Sequence, residues 1–278
     1  MALETTLLVH GVPREAGAEL AVDLGAIVRA EGAHPAVVGL VEGVPTVGMS
    51  DEEIVSLLAA GEVPKVNTAN LGILMHRGSH GATTVSTTME LAAAAGVRVF
   101  ATGGIGGVHT GYAEHLDISS DLAAFTRFPV AVVTSGVKSI LDVESTREAL
   151  ETLGIPVVGF RTDRFPAFYQ RGSGAGVDAR FDDVEELAAF VRSELERTGR
   201  GVVVANPIPE ADEIDSDRWL GWLGEATRRV EREGAKGRDV TPRLLAALHG
   251  VSGGRTLEAN LSLVRSNTKL AALLAAGW

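Results

Sequence analysis

The chain has 278 residues, 45% of them hydrophobic, and a mean hydropathy of +0.17, which suits a globular protein that buries its core without staples. It contains no cysteine, which excludes a disulfide framework, a thiolate nucleophile and a thiolate metal site. A net charge of −11 and a pI near 5.1 argue against a nucleic-acid partner, whose recognition needs a basic face.

Met1-Ala2-Leu3-Glu4 lacks a basic leader signal, and no stretch approaches the roughly 18 apolar residues of a membrane helix, so a cytoplasmic protein with no membrane partner is expected. Residues 14–31 carry apolar side chains at helical spacing. Residues 36–40 read as a strand, Gly43-Val44-Pro45 as a turn and residues 46–49 as a second short strand. Ser50 followed by Asp51, Glu52 and Glu53 marks a capping-box helix start. Residues 82–95 read as a helix despite their threonines, with Gly96 at its C′ position.

Four apolar runs, 97–101, 130–134, 157–160 and 201–205, read as strands, with helices at 145–153 and 182–198 between them. Short Val/Ala/Ile strands alternating with helices call for a largely parallel sheet covered on both faces, an α/β/α fold. Residues 213–233, 241–250 and 256–275 read as a helical C-terminal layer packed on that sheet. A single domain over 1–278 is therefore expected.

Of 25 basic residues only four are lysine: Lys65, Lys138, Lys236 and Lys269. Lys138 follows the strand 130–134, and ligands of open parallel sheets bind at carboxyl strand ends. A lysine desolvated there can attack a sugar aldehyde as a neutral amine; the plainer alternative is a helix-start lysine paired with Asp142 or with solvent.

Thr102-Gly103-Gly104-Ile105-Gly106-Gly107-Val108-His109 also follows a strand. It lacks the third glycine and the following helix of a dinucleotide fingerprint, so a nicotinamide oxidoreductase is poorly supported. It suits a loop approaching a small ligand, or a plain connection. Beyond it stand His109, Glu114, His115, Asp117, Ser119, Ser120 and Asp121. Such carboxylates suit Mn²⁺ or Mg²⁺ more than zinc, although Asp117 or Ser119 could simply cap a helix over 119–127. The stretch from His76 to Thr84, with Arg77, leads into helix 82–95 and could cradle a phosphate or be an ordinary helix start. Glu4 interrupts an apolar run; buried, its pKa would rise and it could donate a proton, and the plainer alternative is a solvated acid near the chain end.

Together, ALETTLLVHGVP, GATTVSTTM, GVRVFATGGIGGVH, EHLDISSDL, VKSILD, VVANPIPE and LEANLSLV, spread from residue 2 to about 264, resemble the pseudouridine-5′-phosphate glycosidase family. The resemblance implies a Schiff base between Lys138 and C1 of ring-opened ribose 5-phosphate, Glu4 as proton donor, and Asp117 as the ligand of one Mn²⁺ per subunit. It places Ser119, Ser120, Asp121 and Val97 on substrate, with His109 and Asn260 near the ribose. It implies reversible cleavage of pseudouridine 5′-phosphate by water into uracil and ribose 5-phosphate, and a homotrimer.

A C–C glycosidic bond has no leaving heteroatom to protonate, so two carboxylates do not suffice and an iminium electron sink is wanted. One departure stands out: Arg77-Gly78-Ser79-His80 replaces the family's Lys-Gly-x-Asn. Arg77 keeps the charge but is a poor proton donor, and His80 adds a titratable group. The alternatives are a synthase joining ribose 5-phosphate to another aromatic acceptor, and a non-catalytic sugar-phosphate-binding protein.

Overall fold

The structure, a computed structural model, describes residues 1–234 and 240–278, without the side chains of His115, Val240, Thr241, Pro242 and Leu245. Lys236 thus lies outside the described residues. Eight strands form one sheet: β1 (Ala2–Glu4), β2 (Ala36–Val41), β3 (Val44–Val47), β6 (Val99–Ala101), β8 (Ala131–Thr134), β10 (Val157–Phe160), β11 (Ala179–Phe181) and β12 (Val202–Ala205). Two small ladders pair β4 (Lys65–Val66) with β5 (Ala82–Thr83), and β7 (Val108–His109) with β9 (Leu141–Asp142).

The sheet order is β11-β10-β12-β8-β6-β1-β2-β3. Every pair is parallel except the β2–β3 hairpin. Parallel strands need helical crossovers, and the helices cover both faces. Alternation along each strand divides the core: Leu3, Val99, Ala101, Val133 and Val204 join one apolar cluster, while Ala2, Phe100, Val132 and Val203 join the other. On the first face lie α1 (Gly17–Ala30), α8 (Val184–Thr198) and the long α11 (Arg255–Ala276), with α9 (Ser216–Arg232) and α10 (Val240–Val251) beyond. On the second lie α4 (Val85–Ala94), α6 (Ser120–Phe125) and α7 (Val143–Thr152). Three shorter helices, α2 (Asp51–Ala59), α3 (Leu71–His76) and α5 (Tyr112–His115), complete the set.

The α/β/α reading and the helical C-terminal layer are therefore present. Ser50 and Glu53 form the expected reciprocal cap of α2. Other expectations need correction. The turn of the first hairpin is Glu42-Gly43, both with left-handed backbone, and Val44 and Pro45 already belong to β3. Residues 82–83 are strand, because the ladder to Lys65–Val66 satisfies their backbone, and α4 begins only at Val85. The N-terminal run forms β1, in the middle of the sheet between β2 and β6. No helix among the described residues is long and apolar enough to cross a membrane.

Candidate active site

The carboxyl ends of β1, β6 and β8 meet at the centre of the sheet and carry the principal groups. Glu4 ends β1 and is 8% exposed. Thr102, the first residue after β6, donates its hydroxyl proton to Glu4 Oε1. Burial pushes the Glu4 carboxyl above the usual carboxylate range; the ammonium of Lys138 and the Thr102 bond oppose that rise, the charge of Asp121 adds to it, and Lys65 opposes it last.

Lys138 lies on the turn after β8. Its N–H donates to the carbonyl of Ile105 at 3.1 Å, and Ser135 N donates to Gly103 O at 3.0 Å, so this turn and the glycine-rich loop are stitched together. Gly136 makes the turn with φ of +76°, where a Cβ would collide with the carbonyl of Pro166. The Asp142 carboxylate caps α7, accepting from Ser145 N at 2.9 Å. Among the described residues Lys138 makes no ion pair, with Asp142 or otherwise, and it is half-buried, so the plainer reading of this lysine stands only in its solvent-paired form.

The glycines of residues 103–107 answer to protein contacts. A Cβ on Gly104 would strike the Phe168 ring, one on Gly106 would strike Ser119 and Asp121, and one on Gly107 would strike Thr146. The Asp121 carboxylate sits at the core of this packing, accepting from Gly106 N at 2.8 Å and from Ser86 N at 2.9 Å. It therefore occupies part of the positive end of α4. Thr84, which gives α4 no side-chain cap, shares a hydroxyl chain with Ser86 and Ser120, each step 3.1 Å. Ser119 caps α6, accepting from Asp121 N at 3.2 Å, so of the two caps weighed, Ser119 is the one formed.

Two residues singled out in the sequence are not brought here. Val97 precedes β6, at the amino end of the sheet, and packs in the apolar cluster of the α4 face. Arg77 is exposed at the end of α3, in a turn docked on the β2–β3 hairpin by the bond from Gly43 N to Ser79 O at 2.8 Å. His80, next to that turn, has a buried Nδ1 without a partner among the described residues. A second cation whose charge is felt by the group is Lys65, on β4. Desolvation lowers its pKa most, despite exposed surface elsewhere on the residue, then the charge of Lys138; Glu4 and Asp121 oppose both. Its scarcity among the basic residues was the available signal, but only the ladder to Ala82–Thr83 shows where it goes.

His109 and Asn260 flank the loop. Asn260, on α11, donates to Gly11 O at 3.3 Å, while its Oδ1 is buried against Gly103 without a partner among the described residues. His109 Nδ1 lies 3.8 Å from Asp117 Oδ2, and the Asp117 side chain is 64% exposed. Among the described residues no group of three or more His, Asp or Glu side chains is arranged to hold a metal. One exposed carboxylate fits a hard cation such as Mn²⁺ that keeps most of its waters, and does not fit zinc.

Over residues 1–277 the chain matches the family described as indigoidine synthase A like protein. It is 48% identical over 276 residues to the pseudouridine-5′-phosphate glycosidase of Methylobacterium nodulans, covering 99% of this chain and 82% of that protein. It is 44% identical over 276 residues to that of a Nocardioides species, covering 99% and 90%. Its structure is similar to the prealnumycin C-glycosynthase AlnA, solved in complex with ribulose 5-phosphate, with a TM-score of 0.91 at 36% identity, covering 99% of this chain and 90% of that one. A Thermotoga maritima indigoidine synthase A-like protein gives 0.88 at 40% identity, covering 99% and 91%.

Proposed function

The chain belongs to the indigoidine synthase A-like family together with pseudouridine-5′-phosphate glycosidases, and from that premise we propose that it reversibly cleaves pseudouridine 5′-phosphate to uracil and ribose 5-phosphate. The observation that carries this reading is the meeting of a buried, pKa-raised Glu4 with Lys138 at the carboxyl edge of the sheet. Lys138 Nζ attacks C1 of the sugar and displaces the ring oxygen, which takes the proton lost by that nitrogen as the ring opens. The C–C bond then breaks, leaving an iminium between C1 and Lys138, while the electron pair passes to the base carbon and protonated Glu4 protonates it. Water adds to the iminium, freeing ribose 5-phosphate and the amine and returning a proton to Glu4.

Lys65, the hydroxyls of Ser86 and Ser120 and the start of α4 are the groups suited to the sugar phosphate. Arg77 does not take that role. Asn260, whose buried Oδ1 has no partner among the described residues, and His109 are read as the contacts of a base or ribose. Mn²⁺, held by Asp117 and water, would supply Lewis-acid polarisation of substrate oxygens. We further read the protein as a cytoplasmic homotrimer, which light scattering checks.

A second reading, a C-ribosylating synthase with another aromatic acceptor, draws on the likeness to prealnumycin C-glycosynthase. Incubation with uracil and ribose 5-phosphate, with and without borohydride, separates the readings. Pseudouridine 5′-phosphate and a ribose adduct on Lys138 are expected. An adduct without that product would favour the synthase, and no adduct on any lysine would leave a binding protein.

A further inference from the structure

Behind the acid and the amine, on the α11 face, lies a buried polar cluster that no step above uses. Its hub is Asn267, fully buried on α11. Its Nδ2 donates to the carbonyl of Thr102 at 2.8 Å and to Ser135 Oγ at 3.1 Å, and its Oδ1 accepts from Asn206 Nδ2 at 2.9 Å. Thr102 needs a donor and the Asn206 amide needs an acceptor, so only one orientation of the Asn267 amide satisfies both. Ser135 Oγ also donates to Asn206 O at 3.0 Å.

Thr102, Ser135 and Asn206 are the first residues beyond β6, β8 and β12. One side chain thus ties three strand ends together. Two of them lead to the chemistry: Thr102 holds Glu4 through its hydroxyl, and Ser135 opens the turn that carries Lys138 three residues later. A surface asparagine, or an apolar residue, would stabilise α11 without aligning anything. A fully satisfied buried amide costs stability whenever one partner shifts, and so penalises misalignment of the strand ends.

We propose that Asn267 is a positioning residue: its amide holds Thr102 against Glu4 and Ser135 under the Lys138 turn, and so fixes the alignment of acid and amine. This rests on the roles given to Glu4 and Lys138 above.

The test compares wild type with Asn267→Ala, Asn267→Asp and Ser266→Ala in turnover and in borohydride trapping of ribose 5-phosphate. Among the described residues Ser266 accepts from Asn206 and makes no hydrogen bond to Thr102 or Ser135, so its variant should behave as wild type. Asn267→Ala should lower kcat and the trapping rate by about 10- to 100-fold, the scale of an ångström's misplacement, with KM nearly unchanged. Asn267→Asp keeps the shape but sets a carboxylate oxygen against the Thr102 carbonyl. Its activity should recover at acidic pH, where the carboxyl is protonated and donates again. If the alanine variant does not fold, the aspartate variant decides.

Variants with wild-type kcat and trapping rate would overturn the proposal, as would a loss explained wholly by a smaller folded fraction. Failure of the wild type to form any lysine adduct would overturn the functional reading, and this proposal with it. A reactive wild type with unaffected variants would overturn the role of Asn267 alone.

Discussion

Two regions flank the candidate site and are built in opposite ways. Residues 102–108 and 135–137 are buried, hydrogen-bonded to one another and pinned from behind by Asn267. Residues 112–114 and 116–118 are exposed, Tyr112, Leu116 and Ile118 among them, and the left-handed backbone of Gly111 and Leu116 brackets the single turn of α5. Covalent chemistry at a carbon demands alignment well below an ångström, whereas a hydrated cation on one carboxylate tolerates a looser seat. Under the proposed function, the contrast matches bond-making to the buried region and adaptable binding to the exposed one.

The sharpest way to break that contrast is Lys138→Ala. It should cost about 10³-fold or more in turnover, and leave thermal unfolding unchanged because the strand beneath is untouched. Near wild-type rates would move the chemistry elsewhere.

Glu4 comes next. Its folded pKa is raised, so the protonated form persists above the usual carboxylate range and is lost as pH rises through the raised value. The stability linked to Glu4 is present below its unfolded pKa and disappears over the same window. Activity measured against pH should fall on that limb. Glu4→Gln should abolish the limb and make the melting temperature less sensitive to rising pH. A limb that survives in Glu4→Gln would assign it to another group.

Gly136→Ala should destabilise by about 1–3 kcal/mol, since the new Cβ would meet the Pro166 carbonyl at a left-handed position. Denaturant titration measures this, and a neutral result would show that the buried region yields more than its contacts suggest. The smallest effect belongs to the exposed side. Asp117→Ala should change stability by less than about 0.5 kcal/mol while weakening Mn²⁺ binding in calorimetry. An unchanged metal titration would remove Asp117 from the metal's ligands.

Much of the fold was legible because local chemistry and tertiary demand coincide. Ser50 caps where its spacing says it should, and β10 spans residues 157–160 as its apolar run suggests. The central strand β1 was not, because three residues ending in a carboxylate carry no periodicity. Glu4 and Lys138 could be singled out from an acid in an apolar run and a lysine after a strand. Val97 and Lys65 show what sequence proximity hides. Val97 neighbours the glycine loop in sequence but lies at the opposite end of β6, while Lys65 reaches the site through a two-residue ladder with strands 17 residues apart.

The glycine loop also bears on how this scaffold can change its chemistry. Since Gly104, Gly106 and Gly107 are dictated by Phe168, Ser119, Asp121 and Thr146, the loop behaves as a keystone, and substitution there would undo the arch before it reshaped a ligand. Under the proposed function, new acceptors would have to be selected by the side chains that flank the loop, His109 and Asn260. Libraries that vary those two positions and spare the glycines should therefore explore specificity with the least loss of folded protein.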